Sequence, residues 1–297
     1  ELDAYEKSAQ PWFNIEDLIN YVLVIPPLST QTAIANFLEQ KTTEIKKFIE
    51  NKRKLIELLK EQRQSIIHRA VTKGIDPNAR MKESWIPWIG EIPEDWETAK
   101  MKQIVSIKIS DWPHETPNFV QEWVPFASAE SVFNGKINFE SIRWFITKVQ
   151  DKIYSQKCKP QRNDIFIVKS WSTTGKIAVV EEDIDFNIWS PLALVRVNQN
   201  LCYYKFIYYF LTSESFQRQV QTFWSFGTQP NIGMWVIENL HTSLPPINAQ
   251  KAIVEYIEQE TSQIDIAIEK IEKEITLIEE YRTSLIYQAV TGKISIS

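Results

Sequence analysis

Glycine is scarce in this chain. Seven of 297 residues are glycine, about 2%, where about 7% is usual. Cysteine is scarcer still: Cys158 and Cys202 stand alone, with no CxxC and no Cys/His ligand spacing. That excludes a disulfide framework and a structural zinc site, and it suits a reducing compartment. No apolar run approaches 18 residues and no signal-peptide pattern is present, so a soluble, cytoplasmic protein is expected. Catalytic signatures are missing too. There is no GxxxxGK[ST] phosphate loop, no GxGxxG, no HExxH and no GxSxG elbow. His68, His114 and His241 are the only histidines, and none has a ligand partner at helical spacing.

Tryptophan is abundant, at 11 residues. Trp12, Trp85, Trp112, Trp123, Trp144, Trp171 and Trp235 stand where turn chemistry asks for glycine. With glycine at all seven, the counts would become 14 Gly and 4 Trp, nearer to ordinary. A side chain forced to φ > 0 costs about 1–2 kcal/mol before its bulk is counted.

The dominant feature is a long-period repeat, which fixes the architecture before anything else. Ile25–Ile75 lies without a gap on Leu244–Ile294, an offset of 219 residues (245 minus 26). Pro26-Pro27 falls on Pro245-Pro246, Gln31 on Gln250, Arg63 on Arg282, and Ala70-Val71-Thr72 on Ala289-Val290-Thr291. In the second copy Ile264, Ile268, Ile271, Ile275, Ile278 and Leu285 form a heptad stripe, with Arg282 in the seam. The first copy repeats it with Ile45, Ile49, Ile56, Leu59 and Ile66, interrupted by Lys52 and Arg63. Each copy therefore predicts a helix of about 40 residues, roughly 60 Å long.

The two helices carry opposite charge. Residues 31–75 hold ten basic and five acidic residues; residues 247–297 hold five and nine. An isolated helix with an exposed isoleucine seam would aggregate, so the natural partner of one helix is the other. The expected organisation is a linker at 76–83, a mixed α/β module at 84–243, and the flanking helices at 25–75 and 244–297 in an antiparallel coiled coil: an α+β protein. Within the module, strands are expected at Ile104–Ile109, Asp164–Lys169, Lys176–Glu181 and Leu192–Val197. Helices are expected near Tyr203–Thr212 and Glu214–Phe223.

The net charge of −5 hides local structure. Residues 136–176 contain nine basic and three acidic residues, whereas 84–243 as a whole has 15 and 17. A basic face in an acidic module is the footprint of a phosphate-backbone contact, or else an ordinary solvated face. Beside it, Lys169-Ser170-Trp171-Ser172-Thr173-Thr174-Gly175-Lys176 predicts a loop dense in hydroxyl donors, a type that reaches phosphates and base edges alike. His114, in a turn, is either a polar loop residue or a ligand contact.

Taken together these features resemble the DNA-sequence specificity subunit of Type I restriction–modification systems. Ile25-Pro26-Pro27-Leu28 to Gln31, Arg63 to Gly74, and Asp76-Pro77 carry the resemblance, with Leu244-Pro245-Pro246 to Ile294 as the second conserved region. Trp88-Ile89-Gly90-Glu91-Ile92-Pro93-Glu94-Asp95-Trp96 looks like the opening of a target recognition domain. Asp111-Trp112-Pro113-His114-Glu115-Thr116-Pro117 looks like that family's Asp-Gly-x-His-x-x-Pro turn. The resemblance implies a non-catalytic subunit that reads half of a split target. It implies residues 1–24 as the remnant of a first recognition domain, and helices that dock methyltransferase (modification) subunits. Those partners would bring S-adenosylmethionine, and a restriction subunit could join them. By position, Lys169, Ser172, Thr173 and Lys176 are candidate DNA contacts and Arg143, Lys148 and Lys152 candidate phosphate ligands. His114, Gln229 and Asn231 complete the set. Two other readings compete: a single-chain DNA-modifying enzyme, which lacks its Asn/Asp-Pro-Pro-aromatic motif here, and a coiled-coil scaffold, which leaves the basic segment without a purpose.

Overall fold

A computed structural model of the chain describes residues 19–20, 24–170, 172–223, 225–226 and 230–296. Trp12, Trp171, Gln229 and nearly all of the expected remnant at 1–24 lie outside the described residues. The chain divides into two units, residues 1–57 with 268–297 and residues 58–267. Two long helices, α1 (Leu28–Lys73) and α7 (Ile247–Val290), contribute to both.

The helix copies begin with the same device. Gln31 reaches back to donate its amide to the Pro26 carbonyl at 2.7 Å, and Gln250 does so to Pro245 at 2.9 Å. Each bond satisfies a carbonyl just outside the first turn, where proline ends the preceding extended chain. Gly74 closes α1 in the left-handed region at φ +75°, its N–H on the Ala70 carbonyl, as a helix C-cap requires.

In the first unit, Ile45, Ile49 and Ile56 of α1 and Ile271, Ile275 and Leu285 of α7 are buried. Lys52 pairs with Glu274 at 2.8 Å and Arg53 with Glu279 at 3.3 Å. Lys41 lies within electrostatic range of Tyr281, so the partner on α7 runs from Tyr281 at Lys41 back to Glu274 at Lys52, and the pair is antiparallel. In the second unit Arg63 meets Asp265 at 2.8 Å, so both cations that interrupt the first seam have acidic partners across it. Exposed pairs of this kind contribute about 0.2–1 kcal/mol each. A buried isoleucine contributes about 1.5–3 kcal/mol, so the seam holds the helices and the charges choose the partner.

The second unit holds the mixed module. Its elements are β1 (Met81–Glu83), β2 (Glu91–Pro93), β3 (Glu97–Lys100), α2 (Met101–Ile104), β4 (Val124–Ala127), β5 (Val132–Phe133), β6 (Lys136–Ile137), β7 (Phe145–Ile146) and α3 (Lys148–Tyr154). They continue with β8 (Ile165–Val168), β9 (Ile177–Val179), β10 (Asn187–Ile188), β11 (Leu192–Val195), α4 (Tyr204–Thr212) and α5 (Glu214–Thr222). The last are β12 (Ser225–Phe226), β13 (Pro230–Asn231), α6 (Met234–Asn239) and β14 (His241–Leu244). A five-stranded sheet has the order β11-β8-β9-β6-β5, and a three-stranded sheet the order β10-β4-β7. β8 and β11 pair antiparallel and are buried on both faces. Ile165 and Ile167 enter one core with Phe206 and Phe210 of α4; Phe166 and Val168 enter a second with Phe186 and Ile188. Continuous apolar runs such as Ile-Phe-Ile-Val are what doubly covered strands require.

β14 pairs antiparallel with β3 along its full length, His241 opposite Lys100 and Leu244 opposite Glu97. Ser243 donates its hydroxyl to the Val71 carbonyl at the end of α1. The expected strand at Ile104–Ile109 is not formed. Met101–Ile104 is a short helix, because Gln103 accepts the Lys100 N–H at 2.7 Å and caps it, and only an isolated bridge joins Val105 to Val197.

Of the seven tryptophans at suspected glycine positions, Trp85 (φ +61°) and Trp123 (φ +130°) occupy the left-handed region. The others described do not. Trp144 packs on Phe119 with ring centroids 4.5 Å apart, Trp112 lies against the same aromatic cluster, and Trp235 is inside α6.

Candidate nucleic-acid interface

The hydroxyl-rich loop joins β8 to β9, and its turn is set by backbone bonds. The Val168 N–H donates to the Lys176 carbonyl at 2.9 Å, and the Gly175 N–H to Val168 at 2.8 Å. Gly175 sits at φ +86°, a conformation that favours glycine, and a Cβ there would stand 3.1 Å from Gln217 Oε1, a tight contact. Gln217 donates its amide to the Gly175 carbonyl at 3.1 Å, fastening the loop to α5. Ser172 and Lys176 are exposed, and Thr173 is half-buried.

Three loops distant in sequence converge at the root of this turn. The Lys169 ammonium forms an ion pair with Asp111, both nearly buried, at 11% and 9% side-chain exposure. The Lys169 N–H donates to the Pro191 carbonyl at 2.9 Å, and its carbonyl accepts the Ile232 N–H at 2.8 Å. Ser170 bridges to Asn231, whose side chain is exposed. Asp111 also stands 3.5 Å from His114 Nε2, and His114 is 59% exposed. Tyr154 donates its hydroxyl to Glu115 at 3.0 Å, and the Ser190 N–H donates to Pro113 at 3.2 Å, so the 111–117 turn is held at both flanks. Burial, and then the Glu115 acceptor, push the Tyr154 phenol up to about 12, so it stays a donor. The structure therefore links the segments that carry His114, Lys169 and Asn231, while Ser172, Thr173 and Lys176 lie along the loop that leaves this junction, Lys176 toward His68 and Glu214. Beneath lies a cleft of about 510 Å³ lined by Lys108, Asp111, Lys157 and Glu238 among others.

Arg143, Lys148 and Lys152 form a separate group around β7 and α3. Thr147 starts that helix with a reciprocal cap: its hydroxyl accepts the Gln150 N–H at 3.2 Å, and Gln150 accepts its N–H at 3.3 Å. Lys148 lies over the Trp123 ring at 5.7 Å, Lys152 is exposed, and Arg143 pairs with Glu130.

The basic segment is less basic in space than in sequence. Lys136 pairs with Glu181, Arg143 with Glu130, Arg162 with Asp183, Lys169 with Asp111, and Lys159 with both Asp151 and Asp185. Most of those acids lie outside 136–176, which is why the sequence count overstated the charge. Lys148, Lys152, Lys157 and Lys176 have no ion-pair partner among the described residues. Lys157 was not among the expected contacts. It lies 3.6 Å above the Trp112 ring, beside the 111–117 turn, and its membership in the basic segment was the one signal available. Lys169, expected to face DNA, has its ammonium turned inward to Asp111. Among the described residues no group of three or more His, Cys, Asp or Glu could hold a metal ion, and no helix is long and apolar enough to cross a membrane.

A family model for the Type I restriction modification DNA specificity domain matches residues 93–277. The chain is 27% identical over 280 residues to the Type I restriction enzyme MjaVIII specificity subunit of Methanocaldococcus jannaschii, across 93% of this chain and 63% of that protein. It is 21% identical over 280 residues to the EcoBI specificity subunit of Escherichia coli, across 92% and 58%. Among solved structures, a chain from a study of assembly and conformational transition of the type I R-M system is similar, with a TM-score of 0.69 and 16% identity. That likeness covers 96% of this chain and 65% of that one. The HsdS subunit of Thermoanaerobacter tengcongensis gives a TM-score of 0.51 at 14% identity, over 98% and 66%. The chain thus spans less than two thirds of the length of each of these relatives.

Proposed function

This chain belongs to the Type I restriction modification DNA specificity family, and from that premise we propose that it reads one half of a split DNA target and docks modification subunits on its paired helices. In this reading residues 84–243 are the target recognition domain, 25–75 and 244–297 the conserved helices, 76–83 a linker, and 1–24 the remnant of a first recognition domain. The chain does no chemistry itself. The modification subunit brings S-adenosylmethionine, a restriction subunit completes the cleaving form, and the assembly works in the cytoplasm.

The convergence of three loops on Lys169 carries this reading. It ties the segments that carry His114 and the exposed Asn231 to the root of the loop that carries Ser172, Thr173 and Lys176. Short polar side chains beside cations are what base edges flanked by phosphates require. Lys148, Lys152, Lys157 and Lys176 supply backbone affinity, with Arg143 and Gln229 as further contacts.

The test is selection from a pool of random duplexes by the full chain with its modification subunit, at two salt concentrations. Enrichment of one short sequence is expected. A normal complex that enriches nothing overturns the recognition role, and failure to form a complex overturns docking on the helices.

A further inference from the structure

We propose that Asp111 and Lys169 form a positioning clasp, which holds three loops of the interface in one register and acts on DNA selectivity without touching DNA. The inference rests on the recognition role above. Three observations carry it. The two side chains are nearly buried, so a phosphate cannot reach the ammonium without breaking the ion pair. Asp111 Oδ2 has no partner among the described residues other than the Lys169 ammonium, so that ammonium is its electrostatic compensation. A buried carboxylate left without its cation is strongly unfavourable, so the pair resists separation once formed.

The third observation is connectivity. Both main-chain groups of Lys169 are engaged, its N–H with Pro191 and its carbonyl with Ile232. Its side chain reaches the 111–117 turn, and its neighbour Ser170 bridges to Asn231. Asp111 in turn stands beside His114. One residue thus ties together the segments that carry His114, Ser172, Thr173, Lys176 and Asn231. A long flexible lysine anchored on a buried acid becomes a rigid strut, and base readout depends on donors held in fixed geometry.

Lys169→Met, Asp111→Asn and the double variant separate a clasp from a direct contact. All are read in the full chain with its modification subunit, on the enriched duplex and on a random pool. Each single variant is expected to lower the ratio of selected to random binding about tenfold, the size of one lost base contact. The dependence of binding on salt stays unchanged. The double variant lacks the clasp as fully as either single variant, so it is expected to show the same loss and not the sum of the two; recovery to the parental ratio overturns the clasp. A salt slope smaller by about 0.9 in Lys169→Met, with Asp111→Asn unaffected or tighter, identifies a phosphate contact and overturns the clasp.

Hydrogen exchange on the free chain gives a readout without DNA. Lys169→Met and the double variant are both expected to accelerate exchange at the Ile232 and Ser190 amides; unchanged exchange overturns the clasp. A parent chain that selects no sequence overturns the recognition role, and the exchange result then stands on its own. Should either single variant unfold, the double variant decides: a folded double with faster exchange at these amides supports the clasp, and one with parental exchange overturns it.

Discussion

Trp85 and Trp123 hold bulky side chains on backbone where the Cβ crowds the following carbonyl. Trp85 is 87% exposed and Trp123 59%, so packing returns little of that cost. Glycine at either site relieves about 1–2 kcal/mol, offset by about 0.5–1 kcal/mol for its freedom in the unfolded chain. Thermal denaturation of the W85G/W123G variant is expected to show a midpoint a few degrees higher; Trp144→Gly, which empties a ring site against Phe119, is expected to lower it. Glycine scarcity thus pointed to real positions of strain, but it could not separate these two from Trp112, Trp144 and Trp235, because φ is set by neighbours. Protonation gives a second prediction. Burial holds His68 below its ordinary value of 6.5, with Arg218 and Lys73 adding to the effect and Glu214 opposing it. Burial and then Lys100 do the same to His241. The unfolded chain binds more protons in the window just below pH 6.5, so stability falls as pH drops through it. Denaturant unfolding between pH 7.5 and 5 (about one pH unit to either side of that window) is expected to show the loss, and His68→Gln with His241→Gln to flatten it.

Two copies of one helix sequence meet different fates. Ile67 and Val71, at the end of α1, are fully buried with Ile253, Val254 and Ile257 in the core of the second unit. Their repeat equivalents Ile286 and Val290 are 38% and 49% exposed. The Gln pair diverges likewise. Gln250 is buried and also accepts the Tyr203 N–H and donates to Leu201, whereas Gln31 is exposed. Ile67→Ala is therefore expected to cost about 2–5 kcal/mol, and Ile286→Ala about 0.5 kcal/mol or less, in denaturant titrations. The seam, the partner charges, α4 and α5 were legible because periodicity over many residues averages out exceptions. The capping signal Thr147-x-x-Gln150 was also present, yet α3 went unread. Strands of two residues such as β7 and β10 carry too little pattern to read. In the Ile104–Ile109 run the Gln103-capped helix takes Ile104, and the rest pairs only through the isolated bridge of Val105 to Val197, since strand propensity is weak and set by context.

Across the molecule, charge is distributed by pairing more than by count. Within 136–176, Lys148, Lys152, Lys157 and Lys176 have no ion-pair partner among the described residues. Lys152→Gln and Lys176→Gln are each expected to reduce the salt slope of DNA binding by about 0.9 without changing the sequence enriched. Ser172→Ala and Asn231→Ala are expected to keep the slope and relax the preference by about 1–3 kcal/mol, read as competition between duplexes. Which lysines would remain was not legible, since their competitors Glu130, Glu181, Asp183 and Asp185 come from other strands and loops. The pairing of β3 with β14 has a different kind of consequence. The polypeptide enters and leaves the module on adjacent rungs of one ladder, Glu97 opposite Leu244. On the proposed reading, genetic exchange that cuts outside those rungs would hand over the recognition module and leave the helices of the recipient as they were. Novelty in what is read can then arise in a single recombination event, with no need for the core and the clasp to be rediscovered residue by residue.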